Sequence, residues 1–456
     1  MSNTSPWLAQ LDPNRAVQKL YEDGTTDVCI VGAGISGMAA AFFILENTNR
    51  SVTILEHGLL AHGATGHNAG MLYANFERPF YDIAQEFGVK LAAHALHEVE
   101  HGWELLEAMA EKTNAPYQQF VGFGGQRTLE HVLTELRDLY HKQLAGFRID
   151  PMVVRDDVPF LDQIPKEYGG VYRLGTATEI QKLLRTKEHI YVAALPNLLG
   201  ISNSALMCER ILKYLTAAYP DRFRLYEHTH VRKIALHENK AIIDTGDHTV
   251  KAGNVILCTN GFENITILNH GLDVDLSFHH NVSGKIGYMA AFRGIANEVA
   301  GGSWYVVNPG DLGEDDPETG FKQVEPYIYI SRRPFTHKEL GESSLVAIGG
   351  PEVQLQDRAE YDPEREYPEK IWRKMVDAMA HIDDIDHAAG PLFKWHGLMG
   401  YTPTGIRIVG REPRNPVMMY SLGCNGLGII PAISGGKRIA RLLNGEHLAP
   451  SLFDPR

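Results

Sequence analysis

The chain has 456 residues with 44% apolar and 22% charged content, an ordinary globular mixture on a length that divides into two or three domains. Lysine and arginine number 43 against 56 aspartates and glutamates, a formal charge of −13 that argues against neutralising nucleic-acid phosphates or docking on an anionic lipid surface. The apolar stretch 38–45 is far short of the roughly 18 residues of a membrane helix, and the N-terminal segment has neither the basic start nor the apolar core of a secretory signal, so the expected compartment is the cytosol.

Asp27-Val-Cys-Ile-Val31 is a short β-branched run that stops at glycine, and residues 35–45 continue with apolar and small side chains, which predicts strand, turn and helix. Ser51-Val-Thr-Ile-Leu55 repeats the strand pattern, so residues 27–56 are expected as one β-α-β unit in a parallel sheet covered on both faces. Residues 83–112 and 127–145 are rich in helix formers, whereas 171–190 has no clear period. Residues 222–252 alternate, with a hairpin expected at Thr245-Gly-Asp247, and lead into the apolar strand Val255-Ile-Leu-Cys258. Residues 288–292, 327–331 and 344–348 are expected as strands of an antiparallel sheet, interrupted by the Gly/Pro/acidic stretch 308–325, which reads as a surface insertion. Residues 417–422 give a further strand and 431–443 a final helix.

Cys29, Cys208, Cys258 and Cys424 lie far apart with no C-x-x-C pair, the usage of free thiols in a reducing compartment. His381-Ile-Asp-Asp-Ile-Asp-His387 reads as a solvated helix end or loop, and no metal is expected.

The chemistry begins at Gly32-Ala33-Gly34-Ile35-Ser36-Gly37, which follows a predicted strand, opens a predicted helix, and has Glu56 at the end of the next strand. Gly32 permits the tight turn, Gly34 lets the backbone approach a pyrophosphate, and Gly37 allows close helix-strand packing. The helix N-terminus offers unpaired N–H groups to the anion, and Glu56 would accept from the adenosine ribose. The fingerprint alone does not choose FAD over NAD.

The segment directly after the acidic strand does choose. His57-Gly-Leu-Leu-Ala-His62-Gly-Ala64-Thr65-Gly66-His67-Asn68-Ala69-Gly70-Met71 resembles the glycine-rich stretch of the D-amino-acid-oxidase-like, or glycine/sarcosine-oxidase-like, class of FAD-dependent oxidoreductases, and the resemblance spans almost the whole chain. It implies that Ala64, Thr65, His67, Asn68, Ala69, Gly70 and Met71 run under the pyrophosphate and ribityl chain. It also implies that Val231 sits in a strand with its backbone against the adenine, and that Thr259, Asn260 and Gly261 close the adenosine side. Gly426, Leu427, Gly428 and Ile429 would bring a helix N-terminus to the flavin pyrimidine, which gains negative charge on reduction. Residues 27–71 and 395–411 are most similar to the gamma-glutamylputrescine-oxidase-like branch, which oxidises an amine.

In glycine-oxidase-like relatives an arginine in the Trp-x-Gly-Leu-x segment clamps the substrate carboxylate; the matching residue here is Met399, which cannot act as that fork. The departure favours an amine, or a substrate whose acid group is held elsewhere by Arg332 or Arg333; the alternative for these two is a solvent-facing strand end. His67 matches the position that carries covalent flavin in the dimethylglycine- and sarcosine-dehydrogenase branch, the alternative being a histidine that hydrogen-bonds flavin or backbone. Gly397 stands where monomeric sarcosine oxidases place their thioether cysteine. Lys285 is a candidate cation near flavin N5, or an ordinary exposed lysine. His396 and Tyr401 are candidates to receive or orient the amine proton, and Tyr288, Tyr327 and Tyr329 are candidate pocket walls, or half-buried packing.

The expected architecture is α/β: a Rossmann-like FAD-binding domain (1–78, 195–262 and 396–456) with a second α+β substrate domain (79–194 and 263–395) built on an antiparallel sheet. The expected reaction is FAD-dependent oxidation of a primary or secondary amine to an imine, with dioxygen or a carrier as acceptor. The rivals are an N-methyl amino-acid dehydrogenase and a flavin-binding subunit without catalysis of its own.

Overall fold

In a computed structural model of the chain, the residues described are 3–262, 264–270, 282–295, 298–305, 327–337, 341–355, 361–379, 385–386 and 390–456. The stretch 308–325 lies outside them, as does 381–387 apart from Ile385 and Asp386.

The β-branched run forms the strand Gly24–Val31, which pairs in parallel with Val52–Leu55 on one side and with Thr249–Leu257 on the other. Helix Ile35–Asn47 connects the first two strands, and all of its residues from Ile35 to Leu45 except Ser36 are buried. It is apolar around its circumference because it packs against helices Ser204–Ala218 and Ile429–Leu443 as well as its own sheet. Among the described residues that sheet has nine strands. Phe223–Tyr226 extends it beyond Val52–Leu55, and Met418–Leu422 joins the end of Thr249–Leu257 in parallel. The meander Lys233–Leu236, Ala241–Asp244, Thr249–Leu257 contains the expected hairpin, turning at Gly246 with φ 97°.

Among the described residues the second sheet has ten strands, in the order Pro391–Tyr401, Ser283–Gly294, Gly341–Gln354, Tyr327–His337, Ala300–Tyr305, Tyr117–Gln126, Ala193–Ser202, Met152–Arg155, Tyr172–Gly175, with Met71–Tyr73 paired to Ala193–Ser202. Its pairings are antiparallel except for Ala300–Tyr305 with Tyr117–Gln126 and Met152–Arg155 with Tyr172–Gly175. Met71–Tyr73, Ala193–Ser202 and Pro391–Tyr401 belong to this sheet, so the chain crosses between sheets near, but not at, the boundaries expected from sequence. The helical stretch 83–112 is three helices, Phe80–Phe87, Val89–Glu100 and Gly102–Thr113, broken at Gly88, whose φ of 88° no helix continues. The unclear stretch 171–190 holds the strand Tyr172–Gly175 and the helix Ala177–Leu184.

Among the described residues no helix is long and apolar enough to cross a membrane. The four cysteines are free.

Candidate flavin and substrate site

A cavity of about 870 Å³ is lined both by loops at the C-terminal ends of the parallel strands and by one face of the second sheet. Its walls at one end are Gly32, Gly34, Ile35, Ser36 and Glu56, where the fingerprint turns from strand to helix. A Cβ on Gly37 would sit 2.0 Å from the Gly32 carbonyl oxygen, so the helix and the strand that precedes it approach closely only with glycine there. Gly34 has no side chain to cap the helix; Thr65 does so from the following loop, its Oγ1 accepting from the Ile35 N–H at 2.9 Å. Glu56 accepts from the N–H groups of Ala33 at 2.7 Å and Gly58 at 2.8 Å, which fixes its carboxylate at the cavity edge.

The glycine-rich loop is held by side chains distant in sequence. Asn68 donates to Thr65 O and to Ser204 Oγ, and accepts from the Gly70 N–H at 2.7 Å. The indole of Trp7 donates to Asn68 O at 2.6 Å, and Arg333, stacked over the Trp7 ring, donates to Gly70 O and Ser202 O. Ala64, Thr65, His67, Asn68, Ala69 and Met71 line the cavity, while Gly70 turns its carbonyl to Arg333 instead. Thr259, Asn260 and Val231 line it too, with Gly261 one step behind against Val282. Val231 precedes the strand Lys233–Leu236 rather than lying in it, because the chain between residues 227 and 232 bonds back to Glu56 through the Thr229 N–H. Gly426, Leu427, Gly428 and Ile429 line the cavity ahead of the helix Ile429–Leu443, and Asn425, at φ 46°, pins this loop to Gly400 and Thr402.

One residue of this region went unread in the sequence. Arg407 is buried, lines the cavity, and donates to Ser36 Oγ and to Ser421 O and Oγ, yet none of its partners is a carboxylate and its Nε has no partner. Burial lowers its pKa from the ordinary arginine value, as it must for a desolvated cation without a counter-ion. A guanidinium in this state, beside the N-terminus of the fingerprint helix, fits a dinucleotide whose phosphates supply the missing negative charge. The glycine turn, Glu56 and Arg407 together match a dinucleotide such as FAD.

These observations agree with the comparisons to known proteins. Residues 27–442 match the family described as DAO, FAD dependent oxidoreductase. The chain belongs to this family. The fold is shared with glycine oxidase from Geobacillus kaustophilus, at 19% identity and a TM-score of 0.66 over 95% of this chain and 99% of that one. L-proline dehydrogenase from P. horikoshii is similar at 16% identity and a TM-score of 0.65, over 96% and 98% of the two chains. Among curated sequences, the gamma-glutamylputrescine oxidoreductase of Escherichia coli K12 is 34% identical over 73 residues, 16% of this chain and 17% of that protein. A thiamine thiazole synthase of Methanococcus maripaludis C6 is 28% identical over 140 residues, 28% of this chain. The chain thus spans between 17% and 52% of the length of the curated relatives it matches. The rest of the cavity wall lies beyond these loops.

The second sheet supplies that part of the wall, through Gly287, Met289, Tyr329, Glu352, Leu398 and Met399, with Glu77 and Tyr73 opposite. Glu352 is 3.2 Å from the Lys285 ammonium and 3.4 Å from the Tyr401 hydroxyl, and Lys285 lies 4.2 Å from the centroid of the Tyr401 ring. Burial, then the nearby carboxylates Glu352 and Glu77, push the Tyr329 and Tyr401 phenols upward, so both are neutral hydrogen-bonding groups. Lys285 and Tyr401 are not themselves in the cavity wall; they stand behind Glu352.

Three expectations are corrected, and strand alternation accounts for all but that of Arg333. His396 is 2% exposed on the far side of the sheet, its ring bonded to Tyr361 and to the Arg365 carbonyl, and burial lowers its pKa. Tyr288, its register partner, is fully buried in the same packing against Tyr367. Arg332 is 1% exposed and off the cavity with its charge near Glu298, and Arg333 is committed to the loop carbonyls, so neither faces substrate. One residue along a strand reverses the face, and the boundaries read from sequence do not fix which face is inward. Of Tyr327 only the backbone is among the described residues. Glu77, Glu352, Tyr73, Arg407 and His230, which also lines the cavity, were missed because single polar residues outside a motif carry no positional signal.

Proposed function

We propose that this enzyme oxidises a primary or secondary amine to an imine, which water hydrolyses to a carbonyl compound and the released amine or ammonia. The observation that carries the reading is the acidic, tyrosine-walled end of the cavity, Glu352 and Glu77 beside Tyr329, with Met399 where an amino-acid oxidase would hold a carboxylate clamp. The arginines that line the cavity are engaged: Arg78 with Thr404 O and Glu86, Arg407 with Ser36 and Ser421.

Bound FAD supplies the two-electron acceptor for the hydride leaving the amine carbon. Glu352 attracts the substrate ammonium and takes its proton, freeing the nitrogen lone pair that the oxidation needs. Lys285, at 3.2 Å, keeps that carboxylate oriented. The Tyr401 hydroxyl donates to Glu352 from behind, Tyr329 lines the same end of the cavity, and Met289, Leu398 and Met399 form an apolar wall that limits water. His67 bonds through Nδ1 to Gly63 O and through Nε2 to Asn3 O, which supports non-covalent flavin. The unpaired thiols support a reducing compartment, the cytosol.

The test is an anaerobic panel of amines, α-amino acids and N-methyl amino acids mixed with the flavin-loaded enzyme. Bleaching by amines supports the reading; bleaching by amino acids alone assigns the rival dehydrogenase chemistry, and no bleaching by any compound assigns a non-catalytic flavin subunit. Peroxide release on readmission of air separates dioxygen from a carrier as acceptor.

A further inference from the structure

The cavity does not end at the flavin-side carboxylates. It continues across the second sheet to one face of helix Leu129–Leu144, where Thr134, Glu135, Asp138, Leu139 and Lys142 line it. Glu135, Asp138 and Lys142 sit at helical spacing and share that face. Asp138 is satisfied: its carboxylate pairs with Lys142 at 2.9 Å and accepts from the Tyr81 N–H at 2.8 Å. Glu135 has neither a hydrogen bond nor an ion pair within the described residues. Burial first, and Asp138 second, push its carboxyl up to about 7, Lys142 opposing. Nearby, Gln126 is 3% exposed, lines the same cavity, and has Oε1 buried without a partner. A polar string borders the approach, with Asn75 donating to the Tyr73 hydroxyl and that hydroxyl donating to Asn197 Oδ1 at 2.6 Å.

The buried Gln126 Oε1 is an acceptor lacking a donor, which is costly unless a ligand supplies one, and Glu135 adds a half-buried carboxyl to the same cavity. Between the strand of Glu352 and the strand of Asn197 lie four inter-strand steps of about 4.8 Å, or about 19 Å across the sheet. The register row Gly349, Tyr329, Ser303, Gly124, Leu195 joins the two ends, and most of its members line the cavity.

We propose that the recess around Glu135 and Gln126 binds the distal cationic end of an elongated substrate, so that the enzyme takes a long α,ω-diamine or polyamine with one amine at Glu352 and the other ammonium against Glu135. This rests on the amine-oxidation reading above. It adds that the chain is long, doubly cationic, and sorted at its far end.

The experiment compares linear α,ω-diamines, from putrescine to 1,12-diaminododecane, with n-alkylamines of equal chain length. Binding is read anaerobically from the perturbation of the flavin absorbance, and reduction from its bleaching. The wild type should bind long diamines at least tenfold more tightly than the matched monoamines, and short diamines without that advantage. In Glu135→Gln, with flavin content confirming an intact fold, the diamine-to-monoamine ratio should collapse towards one. Equal affinity for diamines and monoamines in the wild type overturns the proposal, as does an undiminished ratio in Glu135→Gln. A carboxylate-ended chain outbinding the diamine would assign the recess to Lys142 instead, and also overturns it. If the diamine preference is present but no amine bleaches the flavin, the amine-oxidation reading fails while the cationic subsite stands.

Discussion

Arg407 donates a hydrogen bond to the hydroxyl of Ser36, a residue 371 positions earlier in the chain. The contact ties the strand Ile408–Arg411 to the first turn of the fingerprint helix, and it leaves a buried positive charge facing the place where a pyrophosphate would lie.

Replacing Arg407 with methionine keeps the volume and removes the charge. A charge-assisted hydrogen bond is worth about 1.5–3 kcal/mol, so FAD affinity for the apoprotein should weaken by roughly tenfold to a hundredfold. Titration of apoprotein with FAD, followed by quenching of flavin fluorescence, measures this. Unchanged affinity would separate Arg407 from the phosphates.

A side chain at Gly34 would project to 2.9 Å from Thr65 Oγ1 and displace the group that caps the helix. Gly34→Leu should therefore give folded protein that purifies colourless and stays so with excess FAD. Gly37→Ala, whose Cβ meets backbone rather than a side chain, should lower stability as well, by about 1–3 kcal/mol in chemical denaturation.

Glu352→Gln keeps the shape at the substrate end and removes the proton acceptor. The rate of anaerobic flavin reduction by a good amine should fall by about a hundredfold or more, with flavin content unaltered. Lys285→Met should lower the same rate with flavin content unaltered, since Glu352 loses the contact that orients it. An unchanged rate would show that Lys285 does not act through Glu352.

Glu135 carries a stability signature that no substrate is needed to see. Its carboxyl moves from the ordinary 4.5 to about 7 in the folded protein, so the native state binds the proton more tightly than the unfolded chain does. Stability from this group is complete below about 4.5 and is lost as pH rises through 7. Asp138, Lys142 and Tyr73 face the same recess, and Gln at position 135 leaves them in place. The Tm of Glu135→Gln minus that of the wild type should thus increase between pH 5 and pH 8. A difference independent of pH would contradict the burial of an unpaired carboxyl.

Acid precipitation of the purified enzyme should leave the yellow colour in the supernatant, because the His67 ring is held among backbone carbonyls, Nδ1 at 2.9 Å from Gly63 O and Nε2 at 3.1 Å from Asn3 O. A yellow pellet that turns white in His67→Ala would establish a covalent link.

The amino-acid sequence by itself determined the nucleotide half of the site. Glycines 32, 34 and 37, Glu56 at the next strand end and the Gly426–Ile429 turn act through backbone geometry, and backbone geometry is set by local residue type and spacing. That pattern specifies a dinucleotide, and the choice of FAD comes from the resemblance that residues 57–71 carry. Tertiary structure alone decided the substrate half. Whether Met399 or His396 looks inward depends on strand register, and a shift of one residue exchanges the faces of a sheet. The strands Tyr117–Gln126 and Ala193–Ser202 went unread because their glycines and polar residues have weak local preference for strand, and pairing with each other holds them. Arg407 beside Ser36, Glu352 beside Lys285 and Glu135 without a partner are properties of residues brought together over long separations, and no local pattern encodes which charge will lack its counterpart.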